Sequence, residues 1–450
     1  MPAQPPGSGS RAARIQTSCA VVSAPTFVRA IAGRRFAAER DRPRRLGGRH
    51  PRLGRRCHHP TVRCRPAAAA LAAALALGCG ADRGPAPVAS RLVGGASCTA
   101  AVAPAPEIAG VPMGMLPLAG HPFGVGASGD GRWLFAALDA SVAVLAVDGG
   151  APRVVGQVSV PGHPSGLAVT HDGAMVLVAS DRGAVVVDAR RAEAGDPGAV
   201  LGALESPAGD GAVEVAVSAD DRFAFVTLEK TGGLAVFDLA RARAGALGTA
   251  AFVAGVPLGQ APAGVALSPD GRWLYATSES PAPGGAGGSQ GTLSVVDLRV
   301  AESGAAGAVV ATVAAGCSPV RAAVAADGAT VWVTARGGNA LLAFSAAALT
   351  GDPVRALLAT VPVGSEPVGL VIAPGGRVVV ADSNRSADGQ IGDLTVVDAA
   401  AALAGRPALL GRLGAGSFPR DLAVVPADGV LAVGNYASSQ LGTVGLAGLP

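Results

Sequence analysis

The sequence predicts an all-β ring of seven four-stranded antiparallel blades, and three observations indicate it. Short runs rich in Val, Leu and Ala lie between 65 glycines and 34 prolines, as in a β protein with many tight turns. A strand-turn-strand phrase recurs, as in GASGDGRWLFAALD (126–139) and ALSPDGRWLYATSES (266–280). Each phrase belongs to a unit with four candidate strands. Such repeats are typical of a β-propeller, in which radial sheets bury each other's faces.

Seven units follow one another when the chain is aligned on the proline before the first strand of each. These prolines are Pro122, Pro164, Pro207, Pro262, Pro319, Pro367 and Pro419. An Asp-Gly turn joins the first two strands in most units, because Asp hydrogen-bonds its own backbone and Gly accepts a positive φ. Two units depart, with Asp220-Asp221 and Gly375-Gly376 in its place.

An acid closes the third strand of most units, where it is well placed to cap the short turn that follows. The residues concerned are Asp148, Asp188, Asp238, Asp297 and Asp398, with Ser345 as a substitute. We therefore assign these side chains a structural role.

The last unit has no fourth strand of its own before the chain reaches Pro450. The segment GMLPLAG (114–120) reads as a fourth strand with no third strand before it. We expect it to complete the last blade, which would close the ring within residues 107–450 and remove an exposed edge.

The charge of +4 averages two unlike parts of the chain. Residues 1–65 hold 15 Arg and two acids, a net +13, whereas residues 79–450 hold 20 Arg, one Lys and 30 acids, a net −9. An acidic body with no basic stripe lacks the electrostatic footprint of a nucleic-acid binder. The sequence therefore predicts no nucleic-acid partner.

The N-terminal region has the pattern of an export signal. Residues 1–61 show no periodicity and are expected to be disordered or a spurious extension. Residues 62–78 combine an Arg-bearing start with an apolar run too short to span a bilayer, which indicates a signal peptide. The motif ALGC, ending at Cys79, resembles a bacterial lipobox, which implies a lipid on that thiol. Cleavage at an Ala-x-Ala site, giving a soluble exported protein, is the alternative.

Residues 79–106 are rich in Pro, Ala and Gly and predict a flexible tether. After export, Cys98 and Cys317 are the remaining cysteines besides Cys79. In an oxidising compartment they either pair or stay as separate buried thiols.

The units resemble YVTN-family β-propeller repeats. SPDGRWLYATSE, TLSVVDLR and ATVPVGSEPVGLVIAPGGRVVVADSN match that pattern, and the similarity covers residues 114–450. The resemblance implies the propeller fold but does not decide the function. The same repeat occurs in exported proteins of unknown role and in lactonase-like propellers, including 6-phosphogluconolactonase-like ones.

One face of the ring concentrates chemically varied residues around the mouth of its central channel. Two sets of loops share this face: those that lead into each blade, and those between its second and third strands. Candidate binding residues are His121, His163, Arg321, Glu366, Arg420 and Asp421 from the first set, and Asp181, Glu229, Lys230, Glu279, Arg336, Asp382, Arg385 and Tyr436 from the second.

Two groups of residues at the mouth could each form a ligand site or have only a structural role. His121 and His163, with Glu366, could hold a divalent metal, or the histidines could be a repeated turn residue. Arg321, Arg336, Arg385 and Arg420 could hold a carboxylate or phosphate, or form salt bridges with Glu366, Asp382 and Asp421. We expect no metal and no cofactor.

No G-x-S-x-G, H-E-x-x-H, P-loop or C-x-x-C motif indicates a reaction. We therefore expect a monomeric, non-catalytic binding or scaffold module. It would be exported and held by a lipid anchor in the periplasm or on the cell surface, with a small molecule or protein as partner. The alternative is a lactonase-type hydrolase acting on a sugar lactone or related anion.

Overall fold

The computed structural model describes residues 94–98, 102–149, 151–280, 289–386, 391–426 and 429–450. All of these lie in one compact unit, residues 83–450. The expected extension (1–61), signal peptide (62–78) and lipidation site Cys79 lie outside the described residues. The part of the chain that the structure describes contains no helix long and apolar enough to cross a membrane.

Seven four-stranded antiparallel sheets form the blades, as the sequence predicts. Blade 1 comprises Gly124–Ala127, Trp133–Leu138, Ser141–Ala146 and Arg153–Ser159. Blade 2 comprises Leu167–Val169, Met175–Ser180, Gly183–Asp188 and Val200–Glu205. Blade 3 comprises Ala212–Val217, Phe223–Leu228, Gly233–Asp238 and Phe252–Pro257.

The remaining blades repeat this order. Blade 4 comprises Gln260–Leu267, Trp273–Ser280, Gln290–Asp297 and Val309–Cys317. Blade 5 comprises Pro319–Val324, Thr330–Ala335, Ala340–Ser345 and Leu357–Pro362. Blade 6 comprises Pro367–Ala373, Arg377–Asp382, Ile391–Asp398 and Leu409–Ser417. Blade 7 comprises Pro419–Val425, Val430–Asn435, Gln440–Gly445 and, from the front of the chain, Gly114–Pro117.

The ring closes through that borrowed strand, as expected. Leu116 pairs with Leu441 and Pro117 with Gln440 in an antiparallel register. The first and last parts of the propeller are therefore joined by backbone hydrogen bonds within one blade.

Seven clusters of the hydrophobic core are each built from two neighbouring blades. A small eighth cluster joins Ala263, Val320 and Val368 on the first strands of blades 4 to 6. Alternate residues of a strand point to opposite faces of its sheet. In blade 1, Phe135 and Ala137 accordingly pack against blade 2, whereas Leu134 and Ala136 pack against blade 7. The second and third strands read as nearly continuous apolar runs because both of their faces are buried.

Short helices follow the third strand in five blades: Ala189–Glu193, Leu239–Arg243, Leu298–Glu302, Ala346–Gly351 and Ala399–Leu403. Each has the predicted cap, because the side chain of Asp188, Asp238, Asp297, Ser345 or Asp398 accepts a backbone N–H of the first turn. Asp148 has no helix behind it among the described residues of blade 1. Single 3₁₀ turns span Thr249–Ala251, Arg336–Gly338, Pro353–Arg355 and Leu446–Gly448.

The N-terminal segment lies along the outer edges of blades 4 to 6 before it enters blade 7. Gly95–Ala96 forms a short parallel strand on the outer strand of blade 4, and Cys98 is disulfide-bonded to Cys317. Ala103 N–H donates to the Val363 carbonyl, and Glu107 pairs with Arg412 of blade 6. The described part of the expected tether is thus attached to the ring.

Candidate functional site

The innermost strand of every blade carries one equivalent position that faces its neighbours around the channel. It lies two residues after the proline of the unit, or after Ala212 in blade 3. The residue is glycine in blades 1, 2, 4 and 6, and a charged residue in the other three: Gly124, Gly166, Glu214, Gly264, Arg321, Gly369 and Asp421. We call these seven positions the inner ring.

The glycines of the inner ring let adjacent first strands approach closely. A Cβ on Gly264 would lie 2.4 Å from the Val320 carbonyl oxygen, and one on Gly369 would lie 2.8 Å from the Arg420 carbonyl oxygen. A Cβ on Gly166 would lie 2.4 Å from Oε1 of Glu214. Glycine at Gly264 and Gly369 therefore lets the backbones of neighbouring first strands approach, and Gly166 makes room for the Glu214 side chain.

Buried threonines hold the charged strands in place. The Thr227 hydroxyl accepts the Glu214 N–H at 3.0 Å and donates to the Ala263 carbonyl of blade 4 at 3.2 Å. The Thr334 hydroxyl likewise accepts the Arg321 N–H at 3.1 Å and donates to the Val368 carbonyl of blade 6 at 2.7 Å. Two site residues are thereby fixed to a second strand and to the next blade.

Arg321 and Glu214 form a buried ion pair that reaches from blade 5 to blade 3. Nη2 of Arg321 lies 2.8 Å from Oε2 of Glu214, and Arg321 is 6% exposed. Burial raises the pKa of Glu214 to about 7, although the Arg321 charge opposes the rise. All three guanidinium nitrogens of Arg321 are buried and have no hydrogen-bond partner among the described residues, so the Nη2 contact with Glu214 is an ion pair without hydrogen-bond geometry. The pair is therefore incompletely satisfied.

Arg420 lies next to the inner ring, in an aromatic setting. Its guanidinium carbon is 3.5 Å from the centre of the Phe123 ring, 5.5 Å from that of Phe418 and 5.9 Å from that of Tyr436. Burial and the nearby Arg321 lower the pKa of Arg420 to about 9. Its neighbour Asp421 instead accepts the Val125 N–H of blade 1 at 2.9 Å.

A cavity of about 410 Å³ opens above the inner ring across blades 7, 1, 2 and 3. The predicted residues His121, His163, Glu229 and Tyr436 all line it. The two histidines are paired with aspartates: Nδ1 of His121 lies 3.0 Å from Asp139, and Nδ1 of His163 lies 2.8 Å from Asp181. The two histidines make the same contact in successive blades, which agrees with the interpretation that they are a repeated turn residue.

The arginines of blades 5 and 6 are held by acids at the rim. Arg336 makes two hydrogen bonds to Glu279, of 3.0 and 2.6 Å. Arg385 lies 4.0 Å from Glu366, whose carboxylate also accepts the N–H and hydroxyl of Ser386. Both arginines therefore form salt bridges, although Arg336 uses a different acid from those expected.

Asp382 is the one predicted binding residue that the structure places away from the mouth. It is 1% exposed inside blade 6, where it accepts a hydrogen bond from the Thr395 hydroxyl and lies opposite Asp393 in the sheet. Burial and the Asp393 carboxyl raise its pKa well above the usual range. The loop position read from the sequence is in fact the last residue of the strand, so the side chain packs inside the blade.

His121 and His163 do not meet Glu366. Within the described residues, no three His, Cys, Asp or Glu side chains come together as a metal-ion site. Sequence reasoning also missed Glu214. Alignment of unit 3 on Pro207 displaced it by five residues from its structural equivalent, Ala212, and alignment of its VEVAVS run would have placed Glu214 beside Arg321 and Asp421.

A second cavity, of about 460 Å³, lies on the opposite face between blades 1 and 2, beside Asp130 and His171. A similar one of about 420 Å³ occurs between blades 4 and 5, beside Asp270. Because the repeat reproduces this groove, we attribute it to the blade architecture.

Fold and site together define a seven-bladed β-propeller with a charged, ligand-sized channel mouth. No protein-family profile matches the chain, and no curated protein matches it in sequence. Among solved structures, hydrazine synthase of Kuenenia stuttgartiensis is similar, with a TM-score of 0.57 and 20% identity. The match covers 73% of this chain and 95% of that one. At this identity the likeness concerns the fold alone.

Proposed function

We propose that this YVTN-type propeller is an exported, lipid-anchored binding module that takes its ligand at the channel mouth without transforming it. One observation carries the proposal: equivalent inner-ring positions are glycine in four blades but Glu214, Arg321 and Asp421 in three. Burying charge costs folding free energy unless every charged group is well partnered. Four blades have glycine at this position, so the blade fold does not require a charged residue there. Binding of a ligand would explain why Arg321 is buried although its guanidinium is incompletely partnered.

Retention of a ligand tests this binding role. We expect the protein purified gently from its native envelope to carry a small molecule detectable by native mass spectrometry. The same molecule should be absent from Arg321→Met and present in Arg222→Met, a control on the opposite face. Absence of any retained molecule from the wild type would count against a binding module.

The envelope location is proposed on three features. The apolar run within residues 62–78 precedes Cys79, and the mature chain would start at a lipidated cysteine. The Cys98–Cys317 disulfide supports export, because such bonds persist in oxidising compartments. Palmitate labelling should mark the wild type and not Cys79→Ser. Equal labelling, or no labelling of either, would overturn the anchor.

A lactonase-type hydrolase is the second candidate, favoured by Glu214. A buried carboxyl whose pKa is raised to about 7 is suited to general-base work, and Arg321 beside it could hold an anion. Purified protein should be assayed on sugar lactones next to Arg321→Ala, Glu366→Ala and Glu214→Gln. Robust turnover that these changes abolish would establish the hydrolase and overturn the binding module.

A further inference from the structure

Two charged residues of the mouth, an acid and a base, have neither a side-chain hydrogen bond nor an ion pair among the described residues. The acid is Glu229, which lines the cavity at the end of the second strand of blade 3. Burial and the charge of Glu279 raise its pKa, whereas Arg420 opposes the rise. No described side chain forms a hydrogen bond or ion pair with this carboxylate.

The base is Arg420, at the inner wall behind Phe123 and Tyr436. Its Nε is buried and has no hydrogen-bond partner among the described residues. The aromatic rings around it satisfy the cation through their π faces but leave its N–H groups unbonded. Arg321, whose Nε and Nη1 are also unpartnered, adds a second buried guanidinium on the same channel.

The other charges of the cavity are already compensated. Asp139 and Asp181 are paired with His121 and His163, and Lys230 lies 3.4 Å from Asp210. Glu229 and Arg420 therefore remain as the groups that a ligand would complement.

Glu229 lines the cavity from blade 3, and Phe123, Leu138 and Tyr436 give the same cavity an apolar surface. Arg420, on blade 7, is not among the lining residues, but its guanidinium stacks on the Phe123 ring and lies near Tyr436. The two aromatic rings therefore adjoin both the cavity and the guanidinium. A complementary ligand needs a cation, an apolar middle and an anion in that order.

We propose that the mouth binds a linear zwitterion, with its amine at Glu229, its carboxylate at Arg420 and Arg321, and its hydrocarbon part against Phe123 and Tyr436. An ω-amino acid or a short peptide fits this description. The inference rests on the proposed binding function and specifies the ligand class of that site. Guanidinium groups suit carboxylates, and both unpaired protein charges would gain a partner on binding.

Four six-carbon compounds test the inference by calorimetric titration of the full chain. They are 6-aminohexanoate, its isomer norleucine, hexanoate and hexylamine. Only 6-aminohexanoate has both charges and places them at opposite ends. We expect it to bind at least tenfold more tightly than each of the other three.

Single substitutions assign the two ends. Arg420→Met should weaken 6-aminohexanoate binding at least tenfold and leave hexylamine binding unaffected. Glu229→Gln should weaken 6-aminohexanoate binding by a similar factor and leave hexanoate binding unaffected. Arg222→Met and Glu302→Gln are matched controls on the other face. Arg222 also stacks on a phenylalanine, with its guanidinium 5.4 Å from Phe223, and should change nothing.

Several outcomes would overturn the inference. Equal binding of hexanoate would mean an anion site alone, equal binding of hexylamine a cation site alone, and equal binding of norleucine no requirement for separated charges. Failure of all four compounds would also reject it. If these titrations fail but the native protein still retains a ligand that depends on Arg321, the proposed ligand class is wrong and the binding function stands. If the native protein retains no ligand, the proposed binding function is wrong as well.

Discussion

The two faces of the ring differ in how their equivalent positions behave. On the turn face, one bonding pattern recurs: the side chain of Ser128, Thr170, Ser218 or Ser268 donates to the aspartate two residues later, over 2.5–2.7 Å. The pKa values of these aspartates, Asp130, Asp172, Asp220 and Asp270, are all lowered, with hydrogen bonds to the carboxylate among the main causes.

At the mouth and in the inner ring, by contrast, equivalent positions diverge. The inner ring alternates between glycine and three different charged residues, and burial raises the pKa values of Glu214 and Glu229. The repeated aspartates of the turn face are satisfied by local hydrogen bonds, whereas the mouth and inner ring leave some charges incompletely satisfied. We infer that the repeated positions build blades and that the divergent ones serve a single site.

The largest effect should come from breaking the Arg321–Glu214 pair. Arg321→Met should lower the free energy of unfolding by about 3 kcal/mol at pH 8, because it leaves a buried carboxylate alone. Urea denaturation measures the loss. The double variant Arg321→Met/Glu214→Gln should recover most of it, and strictly additive losses would show that the two side chains do not act as a pair.

A pH-dependent effect should distinguish Glu214 from the turn aspartates. Its pKa is raised from 4.5 to about 7 in the folded protein, so the folded state holds the proton more tightly than the unfolded state. The free energy of unfolding should therefore fall as pH rises from about 4.5 to 7, by on the order of 3 kcal/mol, and then level off. Glu214→Gln should remove this fall, and an unchanged pH profile would contradict the assignment.

On the turn face, Asp270→Ala should cost about 1 kcal/mol of unfolding free energy, the usual size for lost local hydrogen bonds. The change removes the acceptor of the Ser268 hydroxyl and of the Arg272 N–H. Asp130→Ala should cost the same within error, because its bonds are equivalent. Unequal losses, or an effect on ligand retention, would break the claim that this face is purely structural.

The smallest effect is expected for His163→Ala. The His163 side chain is 94% exposed in its pair with Asp181, and exposed ion pairs contribute little to stability. The melting temperature should not change measurably. A clear drop would mean that the mouth histidines do more than complete a turn.

The features that depend on local sequence pattern could be predicted from the sequence. The blade count, the helix caps from Asp188 to Asp398 and the closing strand near Leu116 follow from periodicity and turn chemistry. The site was only partly predictable. Arg321 pairs with Glu214 across an intervening blade, and Asp382 packs inside its sheet, because both depend on how strands are placed in space.

The central claim is that the inner-ring charges serve a ligand and are not needed for the fold. Its most direct test is the triple variant Glu214→Gly/Arg321→Gly/Asp421→Gly, in which all seven positions become glycine. Since the buried Glu214–Arg321 pair and the Asp421 charge are removed together, neither member of the pair is left alone, and we expect cooperative urea unfolding within about 2 kcal/mol of the wild type, together with loss of the retained ligand. A variant that fails to fold, or that folds and keeps its ligand, would contradict the account.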